Sequence, residues 1–140
     1  MPRKIVIIGA NAAGVDAAVA ARKTDRTAEI TLITKENKGA YSRCGIPYVL
    51  GGQIPSFDDL LVYPSSYYRM MKFDLRLETT ATNINTEAKT VEIQDKSGKK
   101  EVLNYDGLIL ATGAYPFVPP IKGKEKKGVF VVRTIEDGQK

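Results

Sequence analysis

Five residues near the start, Lys4–Ile8, form a β-branched run that ends at Gly9, and the next glycine is Gly14. Such a run reads as a strand buried on both faces of a parallel sheet. The segment from Gly9 to Gly14 then reads as a tight turn opening a helix. Residues 14–22 are dominated by alanine, and Val15, Ala18, Val19 and Arg22 recur at helical spacing, so the inner face is small and lies close to a sheet. Residues 30–34 form a second strand, which closes a right-handed βαβ unit. That unit fixes the fold class as α/β with a Rossmann-like parallel sheet.

The turn Gly9-Ala10-Asn11-Ala12-Ala13-Gly14 carries a chemical expectation as well. Backbone N–H groups at the start of a helix, together with the positive end of its dipole, attract a pyrophosphate. Gly9 permits the turn and Gly14 permits close packing of helix on strand. Asn11 replaces the usual middle glycine, so the pattern is an incomplete dinucleotide fingerprint, whose alternative is a plain small-residue turn. An acid is expected at the end of the second strand to bind ribose hydroxyls. Glu36 follows Gly14 at about the twenty-residue spacing of that pattern, while the strand itself ends at Thr34, so either residue is a candidate.

Further along, residues 65–72 read as a helix capped by Ser65 or Ser66, and 74–78 as a third strand. Residues 90–94 and 101–105 flank Lys96-Ser97-Gly98-Lys99 as a β-hairpin or meander insertion, and 107–111 is another buried strand. Val118-Pro119-Pro120 reads as an exit linker, giving a first domain over 1–118 and a linking segment over 119–140. Thr134-Ile135-Glu136-Asp137 has the form of a helix capping box just before the last residue, as expected of a piece of a longer chain.

Composition narrows the chemistry. The chain has no histidine and one cysteine, which leaves no ligand set for zinc, haem or an iron–sulfur cluster and no intramolecular disulfide. A single free thiol fits a reducing, cytoplasmic setting. The 21 Lys and Arg exceed the 16 Asp and Glu by only five and are scattered, apart from Lys122, Lys124, Lys126 and Lys127, so no nucleic-acid partner is expected. No apolar run reaches the roughly 18–20 residues that span a bilayer, so no membrane partner is expected either. The basic, apolar start could pass for a secretory signal, but Asn11 and Asp16 interrupt it.

The most specific segment is Tyr41-Ser42-Arg43-Cys44-Gly45-Ile46-Pro47-Tyr48. It resembles the Ser-x-x-Cys-x-x-Pro-Tyr segment of the coenzyme A disulfide reductase and NADH oxidase group of the FAD-dependent pyridine nucleotide-disulfide oxidoreductases. Leu110-Ala111-Thr112-Gly113 is similar to that family's second flavin signature, and Ala81 falls where members contact the adenine. The resemblance implies FAD held by Gly9, Ala12, Ala13, Gly14, Thr34 or Glu36, Ala81, Ala111, Thr112 and Gly113. It implies NAD(P)H as co-substrate, Cys44 as the single redox-active residue, a small thiol or disulfide as substrate, and a homodimer when the chain is full length.

Positions that bind coenzyme A in the family map onto Asp16, Ala20, Lys23, Ala40, Arg43 and Lys72. Ala20, Ala40 and Arg43 depart from the family's residues, whereas Lys72 agrees and Lys23 keeps the charge. The resemblance therefore implies phosphate attraction at Lys23, Arg43 and Lys72 without a full coenzyme A contact set. Arg43 and a helix start after Cys44 both favour a thiolate. The electron acceptor stays open among disulfide, persulfide, polysulfide and, in an NADH oxidase, oxygen. The rival readings are a non-catalytic FAD-binding module and an NAD-binding Rossmann protein.

Overall fold

The computed structural model describes residues 1–140, which fall into two units. The first unit comprises Met1–Tyr41 and Tyr63–Thr112. Strand β1 (Lys4–Ile8) leads through a turn into helix α1 (Ala12–Thr24), which returns to β2 (Glu29–Ile33). Helix α3 (Ser65–Met70) precedes β3 (Phe73–Arg76), and β7 (Gly107–Leu110) completes a sheet of order β3-β2-β1-β7. All three pairings in that sheet are parallel, so the expected Rossmann-like βαβ arrangement is present.

Strand alternation puts the side chains of β1 into two different cores. Ile7 packs with Leu32, Ile30, Val15 and Ala18 under α1, and Phe73 and Tyr68 extend this core toward α3. Val6 packs on the opposite face with Ile33, Val91 and Ile93. The second face is covered by an antiparallel sheet of β4 (Thr79–Asn85), β5 (Thr90–Asp95) and β6 (Lys100–Asn104). Fully burying each of Val91 and Ile93 there contributes about 1.5–3 kcal/mol, which is the main reason this polar-surfaced insertion stays on the sheet.

Four sequence expectations need correction. The third strand ends at Arg76, because the chain turns at Leu77-Glu78, where Glu78 has φ 48°. A further strand, β4, absent from the sequence reading, follows at once, so the hairpin or meander insertion is a three-stranded meander with a bulge between Ala81 and Asn83. Helix α3 begins after Pro64, with no side-chain cap from Ser65 or Ser66, and ends at Met70 rather than Lys72. The strand after the meander ends at Leu110, one residue before Ala111.

The second unit comprises Ser42–Val62 and Gly113–Lys140. A single 3-10 turn at Arg43–Gly45 runs into the five-residue helix α2 (Ile46–Leu50), and a second 3-10 turn lies at Phe57–Leu60. The short helix α4 (Ile135–Gly138) has the capping box expected from sequence: Thr134 accepts from the Asp137 N–H while Asp137 accepts from Thr134. Ile46 and Ile135 are both buried. Gly138 lies so close to Phe57 that an added Cβ would meet the ring at 2.9 Å. No helix of the chain is long and apolar enough to cross a membrane.

Candidate functional site

In the first unit the loop between β1 and α1 is held from three sides. The Gly9 N–H donates to Ile33 O at 2.8 Å, and the Ala111 N–H donates to Ile8 O at 2.8 Å. Gly9 has φ +113°, and a Cβ there would sit 2.1 Å from the carbonyl oxygen of Ala111. A Cβ on Gly14 would sit 1.8 Å from Gly9 O. Two motifs about a hundred residues apart in sequence therefore meet backbone to backbone, and only glycine permits either contact.

Helix α1 starts without a side-chain cap: Asn11 is the N-cap residue and its amide makes no capping hydrogen bond. Ala12 and Ala13 are exposed in the first turn, which holds no acidic side chain. The leading N–H groups of a thirteen-residue helix thus face outward with the dipole's positive end. This arrangement fits a pyrophosphate, and Ala12, Ala13 and Gly14 would hold it through backbone N–H groups.

At the end of β2, Thr34 is tied into the backbone. Its N–H donates to Arg76 O, its carbonyl accepts from Thr79 N–H, and its Oγ1 accepts from Glu36 N–H at 3.2 Å. Glu36 is partly buried, and its Oε2 accepts from the Tyr41 hydroxyl at 2.5 Å. Ala81 lies within β4 at the bulge and packs against the second core through its side chain. Thr112 is the exposed residue after Ala111.

A separate feature of the first unit is a shallow groove lined by Arg22, Lys23, Arg26, Met70, Met71 and Lys72. It brings Lys23 and Lys72 together. Arg22 organises it: the guanidinium donates to four backbone carbonyls, those of Met71, Lys72, Arg26 and Ala28, at 2.7–3.0 Å. Its carbon also lies 5.9 Å from the centre of the Phe73 ring. Lys72, at φ 53°, is in the left-handed region that a non-glycine residue rarely adopts. The Arg22 bond to its carbonyl holds that conformation.

Cys44, Arg43 and Gly113 belong to the second unit. Cys44 is exposed and free on the 3-10 turn. The turn is fixed by Ser42 N–H to Leu60 O at 2.8 Å and by close packing of Gly45 on Leu60, whose Cδ2 would lie 2.4 Å from a Cβ. Arg43 donates from NH1 to Arg133 O at 3.0 Å. Arg133 in turn lies 4.7 Å from the Tyr115 ring centre, and its NH2 is 3.3 Å from where a Cβ of Gly113 would be. Asp137 accepts from the backbone N–H groups of Thr134 and Arg133. Those bonds, led by the one from Thr134, hold its carboxyl below the usual value, at about 2.

The helix start expected to favour a Cys44 thiolate opens only a five-residue helix, whose dipole is slight. No group of three or more Cys, Asp or Glu residues is placed to hold a metal ion. Sequence reasoning missed Tyr41 as the partner of Glu36, and Arg22 and Arg133 as anchors. Only Arg22 left a signal: an arginine on the inward-facing stripe of a helix needs acceptors.

The model of the pyridine nucleotide-disulphide oxidoreductase family matches residues 3–140, and the chain belongs to that family. The family comprises FAD-dependent enzymes that use NAD(P)H. Over 137 residues the chain is 47% identical to an NADH oxidase of Methanocaldococcus jannaschii, covering 97% of this chain and 31% of the relative. Among solved structures it is similar to the reduced CoADR-RHD of Bacillus anthracis, with TM-score 0.92, 32% identity, and coverage of 99% of this chain and 26% of the other. It is also similar to an NAD-dependent persulfide reductase from A. fulgidus, with TM-score 0.87, 38% identity, and coverage of 97% and 26%. The chain thus spans less than a third of the length of these relatives.

Proposed function

We propose that this chain is the FAD-binding part of an NAD(P)H-dependent reductase of disulfides, persulfides or polysulfides in which Cys44 is the only redox-active residue of the chain. The observation that carries the reading is Cys44 itself: it is the sole cysteine and it is exposed on a rigidly held turn. A structural cysteine is usually buried among apolar groups. The loop from Gly9 to Gly14, the exposed first turn of α1 and the adjoining Ala111-Thr112 support FAD as the bound nucleotide.

When bound, the flavin supplies two electrons taken from NAD(P)H. The thiolate of Cys44 attacks one sulfur of the substrate, forming a Cys44–substrate disulfide and breaking the substrate S–S bond, and the other sulfur leaves as a thiolate that takes a proton from solvent. The two electrons then cleave the mixed disulfide, which restores the Cys44 thiolate and releases the second thiol. One disulfide, one NAD(P)H and one proton from solvent give two thiols and NAD(P)+. Lys23 and Lys72, in the groove ordered by Arg22, attract substrate phosphates, while Arg43 supplies positive charge next to Cys44 in sequence.

A second reading, reduction of oxygen, is favoured by the name of the 47% identical relative. The two are separated by grafting residues 1–140 onto the remainder of that NADH oxidase and comparing Cys44 with Cys44→Ser. The serine variant is expected to bind FAD and to bleach with NADH, yet to lose disulfide and persulfide reduction to background. Unchanged disulfide reduction in the serine variant refutes the role of Cys44. A chimera that consumes only oxygen establishes the second reading.

A further inference from the structure

We propose that residues 117–130 of the second unit form a docking surface for an anionic lipid bilayer: the lysines between 122 and 127 meet the headgroups, and Phe117, Ile121 and Phe130 enter the layer beneath them. Neither the flavin nor Cys44 takes part in this contact.

Residues 113–132 hold eight large apolar side chains, yet none of these twenty residues is buried. Phe117 is 84% exposed, Ile121 64% and Phe130 59%. The stretch belongs to no helix or strand. Folded chains seldom leave so much contiguous apolar surface to water unless it is an interaction site.

The segment is nonetheless ordered by its own backbone. Ile121 N–H donates to Pro119 O at 2.7 Å, Lys124 N–H to Ile121 O at 3.3 Å, Lys126 N–H to Gly123 O at 3.0 Å and Val129 N–H to Lys126 O at 3.2 Å. Linked turns thus gather residues 119–129 into a compact loop, and the α4 cap anchors its far end. The loop carries Lys122, Lys124, Lys126 and Lys127 against one acid, Glu125, and none of the five is engaged in an ion pair. Elsewhere on the surface Arg76, Lys96 and Lys140 each meet a carboxylate. Four like charges on six residues repel one another, and an anionic surface relieves that repulsion as it binds.

The charge selects the occupant. A basic tip flanked by exposed aromatic and aliphatic side chains matches an anionic bilayer. Each lysine near such headgroups strengthens binding roughly fivefold, and apolar side chains sink into the acyl boundary. A protein partner fits less well, because lysine is depleted and arginine enriched at protein interfaces, and residues 113–132 contain no arginine. No helix is long and apolar enough to cross a membrane, but a surface contact needs no span, so this surface revises the sequence expectation of no membrane partner.

The test is co-sedimentation of the chain with vesicles of phosphatidylcholine alone and of phosphatidylcholine with a minor share of phosphatidylglycerol. One variant combines Lys122→Gln, Lys124→Gln and Lys127→Gln. A control combines Lys89→Gln, Lys99→Gln and Lys100→Gln, which removes the same charge from exposed positions of the first unit. A third combines Phe117→Ser and Phe130→Ser. The chain is expected to bind the anionic vesicles, to ignore the neutral ones and to be released at about 1 M salt. The first variant is expected to weaken binding roughly 30- to 100-fold, the control less than about 3-fold, and the phenylalanine variant roughly 10-fold or more. All three positions sets are exposed, so circular dichroism is expected to stay unchanged.

No binding to anionic vesicles at millimolar lipid, equal binding to neutral vesicles, or equal losses in the two lysine variants each overturns the inference. Tighter binding to poly-glutamate than to the anionic vesicles makes an acidic polypeptide the occupant and overturns it too. So does a dimer in lipid-free sedimentation velocity that the phenylalanine variant dissolves, which assigns the apolar side chains to a second copy.

Discussion

Replacing Gly9 by alanine tests the backbone contact on which the proposed nucleotide site is built. The new Cβ would stand 2.1 Å from the carbonyl oxygen of Ala111 and 2.6 Å from its carbon, at a backbone φ of +113°. Both neighbours are main-chain atoms at the end of a strand, so no side-chain rotation relieves the overlap. Strain of a non-glycine residue in such a backbone region costs about 1–3 kcal/mol, and overpacking against an unyielding neighbour costs about another 1–3 kcal/mol. The combined loss of roughly 2–6 kcal/mol is a large part of a typical total of about 5–15 kcal/mol. For a chain of this size the melting temperature should fall by roughly 5–20 °C.

Two further glycines separate the causes. Gly52 has φ +74° with nothing within 4 Å of a Cβ, so Gly52→Ala carries backbone strain alone. Gly107 has neither a positive φ nor a neighbour within 4 Å, so Gly107→Ala should stay within about 0.5 kcal/mol of wild type. Urea denaturation followed by circular dichroism ranks the three variants. Gly9→Ala as stable as Gly107→Ala would mean that the loop does not rest on Ala111, and the close approach of the two motifs would have to be abandoned.

Arg22→Met keeps the aliphatic volume but removes all four bonds to the carbonyls of Met71, Lys72, Arg26 and Ala28, and should cost about 2–3 kcal/mol, the scale of charged hydrogen bonds with partly buried acceptors. A loss under about 0.5 kcal/mol in urea denaturation would show that Arg22 does not hold the end of α3. The depressed carboxyl of Asp137, at about 2 against an ordinary 3.8, makes the α4 cap sensitive to acid. Its contribution is fully present above about pH 4 and is lost as pH falls through about 2. NMR titration of the Asp137 carboxyl and of the Thr134 amide should show this midpoint, and Asp137→Asn should abolish the pH dependence at Thr134; a midpoint near 3.8 contradicts the capping geometry.

Much of the first unit was legible because its determinants are local. The β-branched run of β1, the paired glycines and the alanine-rich α1 each encode their conformation within a few residues, and in the second unit the capping box of α4 does the same. The candidate nucleotide loop and Cys44 stood out for a similar reason, since glycine and cysteine are residue types whose chemistry is visible without neighbours. Strand β4 was not visible: Thr79–Asn85 is polar and mostly exposed, and it is a strand because β5 pairs with it. Only the tertiary structure sets Gly9 on Ala111, Arg22 on the end of α3, and Tyr41 on Glu36. Gly9 abuts the Ala111 carbonyl, and Arg22 reaches those of Met71 and Lys72; these carry no side-chain identity and lie 49 residues or more away along the chain. The partner of Tyr41 is near in sequence, but the bond forms only because Tyr68 and Glu78, from distant elements, fold the intervening loop back on itself. Residue type advertises what a side chain can do, and packing decides which acceptor it reaches.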